Sequence, residues 1–248
     1  MADHPSVIGY VPASDKLAGR PILDLSLVPP PSRERVAGID VSRYQDPVDW
    51  KKAVAAGVRF VFIKASEGSD KRDKLFSKHW DRAGKAGLLT GAYHFLRPSS
   101  SGAAQAKQFL QAAGDRYASP QALPPVLDVE VAGLKEPEIL AWLDAVRTQL
   151  KWTPLIYTNF QIAKQYAFPA ATVGAFPLWW AQYPLQFLSN GRPTEPRHLA
   201  EQKTWKDWAF WQYSETGKVP GVKSKFVDLN VFNGSWDDFV AWRDRQKI

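Results

Sequence analysis

Eight short runs rich in β-branched and aromatic residues divide the chain, and through its first half each is followed by a stretch with helical spacing. The runs fall at 36–42, 59–66, 88–96, 124–131, 154–159, 176–183, 208–214 and 226–232. Strands that return through helices to lie beside their predecessors build a parallel sheet, and eight of them favour closure into a barrel. Helices are predicted at 48–56, ended by Gly57, and at 73–87, with Leu75, Phe76, His79, Trp80 and Ala83 on one face. Ser99–Ser101 can cap a helix striped with Ala103, Ala106, Phe109, Leu110 and Ala113. A further helix carries Ile139, Leu143, Val146 and Leu150, with Pro137 suited to its first turn, and a terminal helix begins near Ser235. Helices thin out after about residue 168, and 184–207 is too polar and Pro-rich for a crossover helix. The expected fold is α/β: an irregular, TIM-like (β/α) barrel of eight strands with reduced helices in its second half, where a hairpin would replace a βα unit.

Residues 1–35 hold Pro5, Pro12, Pro21 and Pro29–Pro31 without helical periodicity, which reads as an extension or linker before a barrel over 36–248. A chain of 248 residues buries enough surface to need no staples. It has no cysteine, which removes disulfides, thiolate metal sites and cysteine nucleophiles. Its four histidines are scattered, so no metal and no cofactor is expected. No apolar run approaches the ~18 residues of a membrane span, and the N-terminus does not read as a secretory signal. The net charge of +7 favours an anionic partner: nucleic acid, an acidic membrane surface or a bacterial cell wall. Lys and Arg are spread along the chain, which argues against a nucleic-acid arm. Among 11 Trp, 8 Tyr and 13 Phe, most are expected in the core, although such rings also stack on sugars.

Four acids sit inside otherwise apolar strands: Asp40 in GIDVS, Asp128 and Glu130 in VLDVEV, and Asp228 in VDLNV. An unpaired charge in a strand core costs several kcal/mol, roughly, unless a wet cavity or a partner accepts it. Side chains alternate along a strand, so Asp128 and Glu130 share a face while Leu127, Val129 and Val131 point toward the covering helices. Asp228 and Asn230 share a face in the same way. Each acid is read as lying late in its strand, the end that forms the active-site face of a barrel. Carboxylates converging in a sugar-sized cleft suit glycoside hydrolysis, where one stays protonated and another ionised. A buried ionic network and a divalent-metal site are the competing readings of the same spacing.

GIDVSRYQ at 38–45, FIKASEG at 62–68, GAYHFLRP at 91–98, PPVLDVE at 124–130, PLIYTN at 154–159, LWWAQY at 178–183, WQYSETGKVPGV at 211–222 and VDLNVF at 227–232 follow one another in a familiar order. Over about residues 36–234 the chain resembles glycoside hydrolase family 25, the Chalaropsis-type lysozymes (N-acetylmuramidases). The resemblance implies an irregular barrel that cleaves the β-1,4 bond between N-acetylmuramic acid and N-acetylglucosamine in peptidoglycan. It implies Glu130 as proton donor, Asp128 as the group orienting or stabilising the substrate acetamido group, and Asp40 and Asp228 as the remaining acids of the cleft. Tyr93 and Tyr157 match positions associated with the substrate, and Trp180 and Gln182 are expected on the same wall. His94 reads as a satisfied structural histidine.

On this reading the glycan's own acetamido group attacks the anomeric carbon, and direct inversion with Asp128 or Asp228 as base stays open. The partner is the peptidoglycan glycan strand, met outside the cytoplasm by a monomer. An immunity protein follows only if the chain is an injected toxin, and a phage lysin or secreted remodelling enzyme is equally compatible. Rival readings are a chitinase-like enzyme of family 18, a catalytically inactive peptidoglycan-binding module and a metal-dependent phosphodiester hydrolase. The chitinase pattern DxxDxDxE would need aspartates where the chain has Leu123 and Val126. The extension and the stretch Leu185–Asp207 depart from the family pattern.

Overall fold

The computed structural model describes residues 35–183, 196 and 199–248. The Pro-rich segment 1–34 and most of the polar stretch after Tyr183, where the expected extension and most of the departure at Leu185–Asp207 fall, lie outside the described residues.

Nine strands form one sheet: β1 (Val36–Val41), β2 (Phe60–Glu67), β3 (Lys71–Arg72), β4 (Leu89–Phe95), β5 (Val126–Asp128), β6 (Leu155–Asn159), β7 (Leu178–Ala181), β8 (Phe210–Gly217) and β9 (Val227–Phe232). The order β1-β9-β8-β7-β6-β5-β4-β2, with β1 pairing back to β2, closes an eight-stranded barrel. The two-residue β3, which the sequence reading did not anticipate, hangs on β2 as an antiparallel flap. Seven strands of the barrel run parallel, whereas β9 is antiparallel to both β8 and β1. The β8–β9 hairpin is the replacement for a βα unit expected on this side. It also corrects one expectation. Asp228 is the second residue of β9, not a late one, and it reaches the same barrel end as the other acids because its strand runs the opposite way.

The helices follow the apolar spacing closely: α1 (Trp50–Ala55), α2 (Phe76–Lys85), α3 (Gly102–Ala113), α4 (Glu136–Leu150), α5 (Phe160–Tyr166) and α6 (Trp236–Arg245). Ser101 caps α3 by accepting from Ala104 N, and Ser235 and Asp238 form a capping box at α6. Helix α4 buries Ile139, Trp142, Leu143 and Val146, positions i, i+3, i+4 and i+7. Between α5 and α6 the described residues hold only single turns of tighter 3₁₀ helix.

The core has two parts. One lies between the strands and α1–α5 and takes the outward side chains, among them Ile39, Val61, Ile63, Leu127, Ile156, Trp180 and Trp211. The other fills the barrel with Phe60, Phe62, Val126, Leu155, Trp179, Phe210 and Phe232. Room for the rings comes from glycine: a Cβ on Gly38 would sit 2.4 Å from Phe60, and one on Gly91 2.4 Å from Phe62. At the bottom, α6 inserts Phe239 against Phe60, Phe210 and Phe232, with ring centroids 5.3, 5.7 and 4.7 Å apart. A packed, plugged lower half leaves the upper half as the barrel's one deep polar region among the described residues.

Candidate active site

At the top of the barrel a cleft of about 1010 Å³ opens to solvent, and Asp40, Asp128, Glu130 and Asp228 all line it. Strand register brings them there. Asp40 on β1 is paired with Asp228 on β9, and Asp128 closes β5 between Phe95 on β4 and Tyr157 on β6. The strand predicted over 124–131 contracts to three residues. Pro124 and Pro125 precede it without an N–H to donate, and Glu130 stands two residues past its end. Glu130 therefore projects from the rim, half-buried, while Asp40 and Asp128 lie deeper and are buried.

Asp40 is held by a chain of hydrogen bonds whose directions are fixed by chemistry. The indole N–H of Trp179 can only donate, and it donates to Asn230 Oδ1 at 2.8 Å. Asn230 must then present Nδ2, which donates to Asp40 Oδ2 at 2.8 Å. In parallel, the hydroxyls of Tyr157 and Tyr183 donate to Gln212 Oε1 at 2.9 and 2.7 Å, and Gln212 Nε2 donates to Asp40 Oδ2 at 2.9 Å. Burial raises the proton affinity of Asp40, and these amide donors work against it. Asp228 is pushed well above the ordinary carboxylate range, first by burial and then by the charge of Asp40, and a hydrogen bond joins the two carboxyls.

Asp128 and Glu130 form a second pair. Burial, then the neighbouring Glu130, drives Asp128 well above its ordinary value. Its buried Oδ1 meets no hydrogen-bond donor of the protein. Burial lifts Glu130 to about 7, against the nearby Lys64 cation. Both members are raised, so the pair retains a proton more readily than two separate carboxyls would.

Tyr93, Tyr157 and Gln182 line the cleft with the acids. Trp180 does not: it is fully buried in the outer core, and its neighbour Trp179 takes the inward place. The period of two decides between them, because Trp179 is paired with the inward-facing Tyr157 and Trp180 is not. His94 is buried beneath the site, with Nδ1 2.8 Å from Ser66 Oγ, Nε2 3.1 Å from Gln105 Oε1 and its ring stacked on Trp142. Burial holds it at about 4, so it stays neutral and structural. Among the described residues no three His, Asp or Glu side chains are disposed to hold a metal ion.

The sequence reading passed over Trp179, Tyr183, Gln212 and the basic residues Lys64 and Arg97, which also border the cleft. Lys64 carried the same signal as the acids, a charge inside the apolar run RFVFIKAS.

A family model described as glycosyl hydrolases family 25 matches residues 39–222. Lysozyme M1 of Streptomyces globisporus is 33% identical over 229 residues, covering 86% of this chain and 72% of its own. The N,O-diacetylmuramidase of a Chalaropsis species is 34% identical over 230 residues, covering 82% and 96%. A crystal structure of a bacterial lysozyme from Streptomyces coelicolor superposes with a TM-score of 0.72 at 33% identity, covering 85% of this chain and 98% of the other.

Proposed function

The chain belongs to glycosyl hydrolase family 25 and is a peptidoglycan hydrolase of the lysozyme type, and from that premise we propose that Glu130 is its proton donor and Asp128 the stabiliser of an acetamido-assisted reaction. The observation that carries the proposal is the Asp128–Glu130 pair itself. Glu130 sits at the rim with its pKa raised to about 7, beside a buried Asp128 whose Oδ1 has no donor within the protein.

A sugar acetamido N–H can donate to the Asp128 carboxyl from the cleft it lines. Such a bond favours the ionised form of Asp128, so substrate leaves the pair's proton on Glu130. Glu130 then protonates the glycosidic oxygen while the acetamido carbonyl of the muramic sugar attacks the anomeric carbon. The oxazolinium that forms is positively charged, and Asp128 stabilises it. Glu130, now a carboxylate, takes a proton from water as the water opens the ring, which returns the enzyme to its starting state. Assistance of this kind is a known departure from the two-carboxylate scheme. Asp40 and Asp228 set the field beneath the sugar, with Tyr93, Tyr157 and Gln182 contacting it. The substrate places the reaction in the cell wall, outside the cytoplasm. No helix among the described residues is long and apolar enough to cross a membrane.

The test is Glu130→Gln assayed on purified peptidoglycan. Release of reducing sugar falls on the order of 10²–10⁴-fold while the circular dichroism spectrum stays native. A variant that still clears peptidoglycan at the parental rate overturns the donor assignment. Proton NMR of the first-released anomer checks the rest, since an inverted product removes the acetamido route.

A further inference from the structure

Along one arc of the cleft mouth cations outnumber acids. Between β1 and β5 it is bordered by Arg43 from the loop after β1, Lys64 from β2, Lys71 and Arg72 from the β3 flap, and Arg97 from the segment after β4. Two carboxylates, Glu67 and Asp73, accompany these five cations. Glu67 alone takes three of them: Lys64 Nζ at 2.7 Å, an Arg97 nitrogen at 2.8 Å and Lys71 Nζ at 3.6 Å. Asp73 spends its oxygens on the backbone N–H groups of Arg43 and Leu75, both at 2.9 Å. The guanidinium of Arg72 reaches only the neutral Gln111 amide. The wall therefore keeps a surplus of positive charge facing the cleft.

Its members are prepared to different degrees. Lys64 and Arg97 lie 4.7 and 4.2 Å from the centre of the Phe95 ring and are clamped by Glu67, so they stand in fixed positions. Lys71, by contrast, has 66% of its side chain exposed. A neutral glycan can take hydrogen bonds from such a wall but gains no ion pairing from it, whereas an acidic ligand gains both. A muramic residue differs from glucosamine by a 3-O-lactyl group. That group ends in a carboxylate when free and carries the carboxylates of the peptide when substituted. Guanidinium forks and ammonium groups are the side chains suited to such anions.

Building on the peptidoglycan-hydrolase reading, we propose that Arg43, Lys64, Lys71, Arg72 and Arg97 form a carboxylate-binding subsite for the acidic 3-O substituent of the muramic residue. The subsite distinguishes peptidoglycan from an uncharged N-acetylglucosamine polymer. Glu67 serves it by holding Lys64 and Arg97 in place, and the flap supplies the cations that close on the ligand.

Calorimetric titration of the Glu130→Gln protein tests this without turnover. Three tetrasaccharides are compared: alternating muramic and glucosamine residues bearing peptide, the same glycan after an amidase has left the free lactyl carboxylate, and tetra-N-acetylglucosamine. Adding Lys71→Gln and Arg72→Gln lowers affinity for an acid-bearing ligand about five- to tenfold and leaves the neutral tetramer within about twofold. Lys71→Glu with Arg72→Glu lowers it further, and added salt erases the difference. Loss on the peptide-bearing ligand alone assigns the peptide carboxylates, and loss on the stripped glycan assigns the lactyl group. Equal losses on all three ligands, no loss on either acid-bearing ligand, or parental affinity no higher for those than for the neutral tetramer would overturn the subsite. Cleavage by the Glu130→Gln protein counts against the donor assignment and not against the subsite.

Discussion

Asp40 and Asp228 stand directly opposite each other across the β1–β9 pair, on neighbouring strands that run in opposite directions. Register partners in an antiparallel pair have Cβ atoms about 4.5–5.5 Å apart, which disfavours ionising the buried Asp40 and the half-buried Asp228 together. They share a proton, and the surrounding amides decide where it rests. Gln212 and Asn230 both donate to Asp40 Oδ2, which favours the ionised form of Asp40, and the charge of Asp40 in turn pushes Asp228 up. Asp40 is the anion and Asp228 the acid.

That assignment makes the two aspartates unequal under substitution. Asp228→Asn replaces a neutral donor with another neutral donor, so kcat on peptidoglycan falls by less than about tenfold. Asp40→Asn turns an acceptor of two amide N–H groups into a side chain that needs acceptors of its own, and kcat falls on the order of 10²-fold or more. Steady-state kinetics of the two variants checks this, and equal losses contradict the charge assignment.

Glu130 should make the protein less stable as it becomes ionised. Its folded pKa of about 7 lies above the unfolded carboxyl value, so the folded state binds more protons between about pH 4.5 and 7, and stability drops as pH rises through that window. Glu130→Gln removes the effect. Its melting temperature matches the parent near pH 4 and exceeds it at pH 8, by the equivalent of about 1–3 kcal/mol. Activity of the parent falls as pH rises through about 7, because the donor then loses its proton. Scanning calorimetry at the two pH values reads the first expectation, and a variant no more stable at pH 8 contradicts it.

Much of this site could be read in the sequence because it breaks a rule. A charge inside an apolar strand needs an outlet, and alternation shows which neighbours share it, as for Asp128 with Glu130 and Asp228 with Asn230. Alternation does not show which way a strand runs. Asp228 therefore sits early in β9 and not late, and the antiparallel direction brings it to the mouth. Nor does it say which of two adjacent tryptophans faces in until one is set against a partner of known direction, as Trp179 is against Tyr157. Tyr183, Gln212 and Arg97 lie inside the blocks LWWAQY, WQYSETGKVPGV and GAYHFLRP, but their roles come from contacts made at long sequence separation, which a local pattern does not show. The β3 flap is two residues of backbone pairing, below what hydrophobic periodicity can register.

Glu67 contributes stability in the opposite pH direction from Glu130. Burial disfavours its charge, but the hydrogen bond and charge of Lys64, followed by those of Arg97, outweigh burial and hold the carboxyl at about 2. The stabilisation is fully present above the unfolded value of 4.5 and is lost as pH falls toward 2. Glu67→Gln leaves Lys64 and Arg97 with no counter-charge between them and costs about 1–2 kcal/mol at pH 7, after allowance for solvent screening. Urea unfolding at pH 7 and pH 2.5 should show the gap between variant and parent nearly closed at the lower pH. A gap that persists there contradicts the ion cluster as its source.

Gly91 ties the barrel's packing to its chemistry. An added Cβ would lie 2.4 Å from the Phe62 ring and 3.2 Å from Leu123 Cβ. Phe62 has little freedom to yield, being stacked on Trp179 at 4.6 Å and set edge-on against Phe210 at 5.1 Å. Gly91→Ala therefore overpacks the interior and costs about 1–3 kcal/mol. Trp179 is also the donor that fixes Asn230, and Asn230 donates to Asp40, so displacing the Phe62 ring loosens the site as well as the core. The variant loses kcat at temperatures where it remains folded. Gly114→Ala is the matched control: φ is −53° there, an added Cβ meets nothing within 4 Å, and the substitution raises stability by about 0.4–1 kcal/mol. Thermal melts and initial rates for the two variants separate the cases, and a Gly91→Ala protein with parental melting temperature and kcat would show that the Phe62–Trp179 stack does not transmit packing to the acids.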